Sequence, residues 1–436
     1  MESTAPSHGA HTRQDTANKA NPSATQQRYR MPVRWSSLDE IATSPVQNVA
    51  DAPIHGHVGL ETDWTGHGNN GVAVLDEDAP KDSSQLRLVS AWATQLYTIS
   101  YLVFFSLLGT LARLGVTALT RYPNAPVIFT TVWANFGGSL IMGFLAEDRA
   151  LFRQEWGTPP TQIGPGTSQD EAVKKAHLAT KKTIPLYIGL ATGFCGSFTS
   201  FCTFMRDIFL AMSNDLVAPG LGQSFAVSRN GGFSLMAMLA VMIATLALSL
   251  GGLVVGAHLA VASASVMPVI PYQLSRRLVD PLVVFLAWGC WLGAVLLSVF
   301  PPHNFWRGRA TFALVFAPPG CLLRFHLSQL LNAKVKTFPL GTFAANIFGT
   351  ALLAMAWDLA HGQMGGVTGC QVLQGIQDGF CGCLTTVSTW VAELNSLQRR
   401  NAYVYGAASV GAGFAVTVII MGGMRWTHGF DSVLCH

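Results

Sequence analysis

From residue 96 to residue 424 the chain keeps returning to apolar stretches of about 20 residues with almost no ionised side chain. Wound as an α-helix at 1.5 Å per residue, a stretch of that length crosses the ~30 Å hydrocarbon core of a bilayer. A helix facing water would interrupt such a run with a polar face. In lipid every backbone amide and carbonyl must find its partner inside the protein, and runs this long do so as helices. The pattern therefore specifies an all-α polytopic membrane protein. Nine spans are expected, near 96–120, 126–146, 184–211, 231–260, 279–300, 309–331, 338–360, 369–396 and 402–424.

Charge is unevenly spread: residues 1–88 hold 18 of the 50 acidic and basic side chains, so the spans are nearly free of them. That first segment is rich in Ser, Thr, Asn, Gln, Gly and Pro. It offers too little apolar surface to offset chain entropy and reads as a disordered cytosolic tail. Its histidines, His8, His11, His55, His57 and His67, read as solvated rather than as a metal site. A net charge of +4 is too small and too dispersed for a nucleic-acid partner. The eight cysteines suggest no disulfide framework, since most lie inside apolar runs and behave as small hydrophobes. The polar segment 147–183 reads as a loop.

Lysine and arginine in the loops set the orientation. With the amino terminus in the cytosol, the inner loops hold 12 basic residues: Arg149, Arg153, Lys174, Lys175, Lys181, Lys182, Arg276, Arg277, Lys334, Lys336, Arg399 and Arg400. The outer loops and carboxyl tail hold 5, namely Arg121, Arg229, Arg307, Arg309 and Arg425. The amino end is expected inside and the carboxyl end outside.

The chain also repeats itself. At an offset of 211, Gly109-Thr-Leu-Ala-Arg113 falls on Gly320-Cys-Leu-Leu-Arg324, Asn135 on Asn346, and Gly138 on Gly349. Past the long loop the offset becomes 186. Gly193-Phe-Cys-Gly196 then falls on Gly379-Phe-Cys-Gly382, Thr199 on Thr385, Thr203 on Thr389 and Asp207 on Glu393. Each repeat holds four spans and one span separates them, so the second repeat enters the membrane from the opposite side. Two inverted-topology repeats, 89–262 and 304–436, joined by a lipid-facing connector span within 263–303, place a polar path at their interface near the midplane.

The third span of each repeat, GLATGFCGSFTSFCTFMRD and GIQDGFCGCLTTVSTWVAE, crowds glycines before a run of hydroxyls. Glycine weakens a helix and permits a break, and a broken membrane helix must line a cavity or hold an ion. The break reading makes the carbonyls of Gly196–Thr199 and Gly382–Thr385 meet at the centre. The alternative is a small-residue packing face. Asn135 and Asn346 sit mid-span, where an amide either donates to an anion or makes an interhelical hydrogen bond. Arg113 and Arg324 lie within spans, a costly placement that fits either an anion vestibule or an anchor snorkelling to an interface. Phe201 and Phe204 share one helical face beside Ser200 and Thr203. Their ring edges can face an anion or simply pack.

These motifs together, over about residues 96–424 apart from the connector, resemble the Fluc (CrcB) and FEX fluoride channel family, in its eukaryotic form with two domains in one chain. The resemblance implies a fluoride channel in the plasma membrane that lets fluoride leave the cytosol passively and works as a monomer. It implies a structural Na+ held by backbone carbonyls of Gly196, Thr199, Gly382 and Thr385. It implies a fluoride pore drawing on Asn135, Asn346, Phe201, Phe204, Ser200 and Thr203. In the second repeat Ser388 and Thr389 match the hydroxyls, while Val387 and Trp390 stand where the family has phenylalanines. Tyr405 and Ser409 match a polar track on the last helix. The alternative is a proton-coupled drug or metabolite transporter, also built on inverted repeats. That chemistry asks for a buried carboxylate at mid-span, and Asp378, the nearest, has Thr192 as its counterpart. No nucleophile, acid–base or metal-ligand constellation points to an enzyme.

Overall fold

A computed structural model describes residues 82–152, 181–216, 228–271, 274–301, 303, 306–362, 365–433 and 435. Among them there is helix and connecting chain and no strand. Helix α1 is Asp82–Thr120 and α2 is Thr131–Glu147. Helix α3, over 185–198, opens with an α-turn Pro185–Ile188. It widens to π geometry over Gly189–Cys195 and closes with Gly196–Phe198. Then come α4 (Phe201–Ser213), α5 (Gly231–Ser263), α6 (Asp280–Val299), α7 (Phe312–Leu331) and α8 (Leu340–His361). Helix α9, over 366–384, has the construction of α3, with α-helix Gly366–Gly375, π-helical Ile376–Cys381 and a last turn Gly382–Leu384. Helices α10 (Ser388–Ser396) and α11 (Arg399–Thr427) complete the order.

Among the described residues seven helical stretches are long and apolar enough to cross a membrane: Trp92–Thr120, Pro185–Ser213, Gly231–Ser263, Ser275–Val299, Arg307–Lys334, Leu340–His361 and Arg399–Thr427. The protein is a multi-pass membrane protein. Two expected spans are not among the seven. One is α2, with 17 residues. The other, near 369–396, is interrupted after Leu384 and carries Gln371, Gln374, Gln377 and Asp378 in its first half.

Lipid removes most of the hydrophobic drive between helices, so close packing of small residues takes its place. Helices α2 and α5 show it: a Cβ on Gly143 would strike the Leu253 backbone, one on Gly252 the Phe136 carbonyl, and one on Gly256 the Leu140 carbonyl. From Phe136 opposite Gly252 to Leu140 opposite Gly256, and on to the Ile270 amide donating to the Leu151 carbonyl (2.9 Å) past both helices, the positions advance together, so α2 and α5 run parallel. Helix α6 is pinned to α1 by Tyr101 Oη donating to Asp280 (2.8 Å) and Trp288 Nε1 donating to Ser100 (3.2 Å). Its Trp291 Nε1 donates to the Val315 carbonyl of α7 (3.0 Å). Phe285, Leu292 and Leu296 of α6 are exposed.

The structure corrects two expectations. Residues 82–88, expected to lack structure, are helical, because the apolar run behind them nucleates a helix that extends backwards at little cost. The rest of the tail, with its histidines, lies outside the described residues, as do Arg153, Lys174, Lys175 and His436. The cysteines are not all free: Cys370 and Cys435 form a disulfide. Both stand near element ends rather than inside apolar runs. The other six are free.

Candidate functional site

Both glycine-rich helices break where the sequence places the change from glycine to hydroxyl. Thr199 is extended (φ −92°, ψ 155°), and so is Thr385 (φ −95°, ψ 151°). The glycines before them are helical, with φ −67° at Gly196 and −63° at Gly382. Conformational freedom is therefore not what selects glycine here; close approach is. A Cβ on Gly196 would fall inside the guanidinium of Arg324, and one on Gly382 inside that of Arg113. The other repeated glycines act alike. Gly109 and Gly320 admit the Phe194 and Phe380 carbonyls, and Gly138 and Gly349 admit the methyls of Thr199 and Thr385.

Both arginines are buried, 3% and 2% exposed, and reach across the repeat interface. Arg113 Nε donates to the Ser197 carbonyl (3.1 Å) and its Nη2 to the Asp378 carbonyl. Arg324 Nε donates to the Cys383 carbonyl (2.8 Å) and its Nη2 to the Thr192 carbonyl (2.8 Å). Each arginine thus satisfies a carbonyl freed at its own repeat's break and one in the opposite π-helical stretch. The acceptors of one differ from those of the other by 186 residues throughout.

The threonines cap across the interface as well. Thr199 Oγ1 accepts from the Val387 and Ser388 amides (both 3.1 Å) at the start of α10. Thr385 Oγ1 accepts from the Phe201 and Cys202 amides (both 3.1 Å) at the start of α4. The amide between break and helix goes to the asparagine. Ser200 N donates to Asn135 Oδ1 (2.9 Å) and Thr386 N to Asn346 Oδ1 (2.8 Å). The Thr203 and Thr389 amides turn back to the hydroxyls of Ser200 and Thr386 (both 3.4 Å). Every orphan donor at the two helix starts is met by a side chain.

In a continuous helix the amides of residues 200–203 would close on the carbonyls of 196–199, and those of 386–389 on the carbonyls of 382–385. All eight amides are instead directed to side-chain oxygens. Only Ser197 and Cys383 among those carbonyls take an arginine. Six oxygens are thereby released from their helical partners, those of Gly196, Phe198, Thr199, Gly382, Leu384 and Thr385, and the four glycine and threonine carbonyls expected from the sequence are among them. Backbone oxygens are the donor set that suits a hard monovalent cation, so the residues present fit a bound Na+.

The two copies differ in what remains free. Asn346 Nδ2 donates to the Thr386 carbonyl (3.2 Å), whereas Asn135 Nδ2, fully buried, has no partner among the described residues. Trp390 Nε1, on a side chain 1% exposed, is likewise unpartnered among the described residues, as are Trp357 Nε1 and Asn395 Nδ2 away from the breaks. The Trp390 ring meets Phe201 edge to face at 5.3 Å, and Phe201 meets Phe204 at 6.0 Å. Val387 and Tyr405 join the same cluster. Ser388 belongs to the central knot, bonded to Thr199 (3.2 Å) and the Cys195 carbonyl (3.1 Å). Ser200 and Thr203 share a hydrogen bond of 2.8 Å.

Tyr405 and Ser409 lie on a stripe that sequence reasoning followed only in part. The buried residues of α11 continue through Gly413 and Thr417 at a spacing of four, one helical face. A Cβ on Gly413 would meet Met205 and Phe201, so this stripe faces α4. Tyr405 Oη donates to Glu393 (2.7 Å), which also accepts from Thr342 Oγ1 (2.6 Å). In the first repeat the matching Asp207 pairs with Arg206 (2.9 Å). Outside the spans, Lys181 is buried and donates to the Leu145 carbonyl (3.1 Å) and the Asp148 carbonyl at the end of α2. Burial pushes its ammonium down to about 8, against the opposing pull of Asp148 and Glu147.

Comparison with known proteins gives this architecture its place. A family model described as CrcB-like protein, Camphor Resistance (CrcB), matches residues 100–257 and again 311–423. The chain belongs to the CrcB family. One CrcB relative, Fluoride export protein 1 of Neurospora crassa, is 51% identical over 99% of this chain and 89% of its own length. Fluoride export protein 1 of Candida albicans is 34% identical over 78% of this chain and 83% of its own. The Fluoride-specific ion channel FluC of Syntrophotalea carbinolica is 30% identical over 26% of this chain, which spans 89% of that protein. No solved structure gives a significant match.

Proposed function

We propose that this CrcB protein is a passive fluoride channel that exports the ion from the cytosol. The observation that carries the reading is that two of the four buried N–H donors without a partner among the described residues, Asn135 Nδ2 and Trp390 Nε1, belong to the break region, the second on the ring that meets Phe201 edge to face. Fluoride is small and strongly hydrated, so a filter must replace its water with fixed donors and the positive edges of rings. An interior-negative potential contributes about 2.3 kcal/mol per charge per 100 mV toward anion exit. The names of the CrcB relatives agree with this reading, and none of those compared supports the coupled-transporter alternative.

The topology belongs to the same proposal: nine spans, two inverted repeats and a connector, with the amino end cytosolic, the carboxyl end outside and the plasma membrane as the site of action. The doubled family match and the 186-residue symmetry of the hydrogen bonds support it. Because both repeats lie in one chain, a monomer suffices. The carbonyls of Gly196, Thr199, Gly382 and Thr385 would hold Na+, which supplies positive charge between the half-helices. Arg113 and Arg324 are positioning residues that fix both breaks.

The two candidate pores are unequal. One pairs Phe201 with Trp390, and the other pairs Phe204 with Val387, which has no ring edge to offer. The Phe201/Trp390 pore conducts and the other is weak or closed. Reconstitution in liposomes with a fluoride electrode tests the function. Fluoride release without release of chloride, unaffected by a proton gradient of either sign, is the expected result. Strict dependence on a proton gradient would return the transporter reading. Tags at the two ends, probed in intact cells, test the orientation, and finding both on one side would remove the inverted repeat.

A further inference from the structure

The end of the chain does not trail away from the bundle. After α11, Gly429 turns the chain back in the left-handed region (φ +82°), its amide donating to the Met424 carbonyl (3.1 Å). Phe430 then packs on the end of α8, its ring 5.0 Å from His361 and 6.0 Å from Trp357. Trp357 and His361 are themselves stacked at 4.3 Å, and Trp357 lies beneath the Arg206 guanidinium of α4 at 5.3 Å. Arg425, beside Phe430, pairs with Asp215 just past α4 at 2.6 Å. Cys435 finally joins Cys370 in the first half of α9. Gln371 Nε2 donates to the Cys435 carbonyl (3.2 Å), and its Oε1 accepts from Arg307 ahead of α7 (2.8 Å). The terminal residues thus gird α4, α7, α8 and α9 at one end of the bundle.

We propose that the carboxyl-terminal segment is a disulfide-locked strap that sits in an oxidising, non-cytosolic compartment and holds the outer half-helix α9 in its working position. Disulfides persist in oxidising compartments and are rare in the cytosol. Loop charge independently assigns this end to the outside. The mechanical part follows from connectivity. Cys370 lies in the same rigid element as Ile376–Cys381 and the Gly382–Leu384 turn, so whatever fixes Cys370 fixes the height and rotation of the second break. A crosslink closing 65 residues removes much of the freedom the strap would have to open locally.

The test uses the full chain carrying C290S, which removes the exposed free cysteine. Intact cells are treated with an impermeant phosphine reductant and then an impermeant maleimide mass tag. Two tags are expected after reduction and none before it. Tags without reduction, or tags only after permeabilisation, overturn the strap's bond or its compartment. The flux arm rests on the channel reading. In liposomes, dithiothreitol passes two electrons and two protons to the disulfide, giving two thiols and its own cyclic disulfide. Initial fluoride efflux is expected to fall about threefold as the strap opens part of the time. The C370S/C435S variant should start at that lower rate and ignore the reductant. Unchanged rates in both overturn the mechanical role. No flux from the oxidised protein would count against the channel reading instead, leaving bond and compartment to the tags. If the double variant fails to fold, F430A with the disulfide intact substitutes for it and should give an intermediate loss.

Discussion

Thr199→Val isolates what the crossed caps contribute. Valine keeps the shape of threonine and removes the one oxygen that accepts from the Val387 and Ser388 amides at 3.1 Å each. Those amides open α10 in a fully buried setting, and no water-facing alternative is available to them. A buried donor stripped of its partner costs ~1–3 kcal/mol, so two amides give ~2–6 kcal/mol, with ~3 as the central expectation. Thr385→Val should cost the same through the Phe201 and Cys202 amides. Thr110→Val is the control. Its hydroxyl meets only the Cys383 thiol (3.0 Å), no amide depends on it, and ~1 kcal/mol or less is expected. Thermal unfolding of the detergent-solubilised protein provides the assay, and for a chain of this size the two cap variants should melt on the order of 3–6 °C lower. If both melt with the Thr110→Val control, the crossed caps do not hold the breaks together. If only one is destabilised, the hydrogen-bond symmetry does not extend to energetics.

Two further outcomes are expected. Phe201→Ala should abolish most fluoride efflux from liposomes while Phe204→Ala costs much less, with melting temperature as the folding control; equal losses would mean that both pores conduct or that the pairing is wrong. Lys181, pushed down to about 8 by burial, binds its proton less tightly folded than unfolded, where the ordinary value is 10.5. Stability should therefore rise as pH climbs from about 8 toward 10.5, and Lys181→Met should flatten that rise in a pH series of denaturation curves.

Much of this arrangement was legible because lipid enforces period and composition. The apolar runs gave the helices, and identical polar residues at two fixed offsets gave the correspondence of Arg113 with Arg324 and Thr199 with Thr385. The breaks were legible too, though for a partly mistaken reason: Gly196 and Gly382 keep helical dihedrals, and what selects glycine is an arginine from the opposite repeat. No local pattern announces a partner 128 or 269 residues away, so both arginines read equally well as snorkelling anchors. The Cys370–Cys435 pairing was illegible for the same reason, since spacing does not specify which distant thiols meet. Glu393 was visible only as the counterpart of Asp207. Its hydrogen bonds to Thr342 and Tyr405 depend on three helices meeting.

The divergence between the asparagines yields the sharpest remaining test. Asn135 and Asn346 both accept an amide at the break, at 2.9 and 2.8 Å, but only Asn346 also spends its NH2 inside the protein. Asn→Asp keeps the acceptor and deletes the donor, so it separates the two roles within one side chain. At position 135 nothing in the protein loses a hydrogen bond, while a permeating anion loses a donor and meets a carboxylate. Fluoride flux should fall by about tenfold or more at neutral pH, with little change in melting beyond the cost of burying the acid. At position 346 the Thr386 carbonyl loses its donor, so the stability loss should exceed that at 135 by about 1 kcal/mol while flux falls less. Acidification adds a discriminating arm. Once protonated, the introduced carboxyl regains an O–H donor and loses its charge, so Asn135→Asp should recover flux as pH falls, relative to the unsubstituted protein at each pH. If Asn135→Asp conducts like the unsubstituted protein at neutral pH, the buried amide is not part of the fluoride path, and the anion reading of this interface loses its main support.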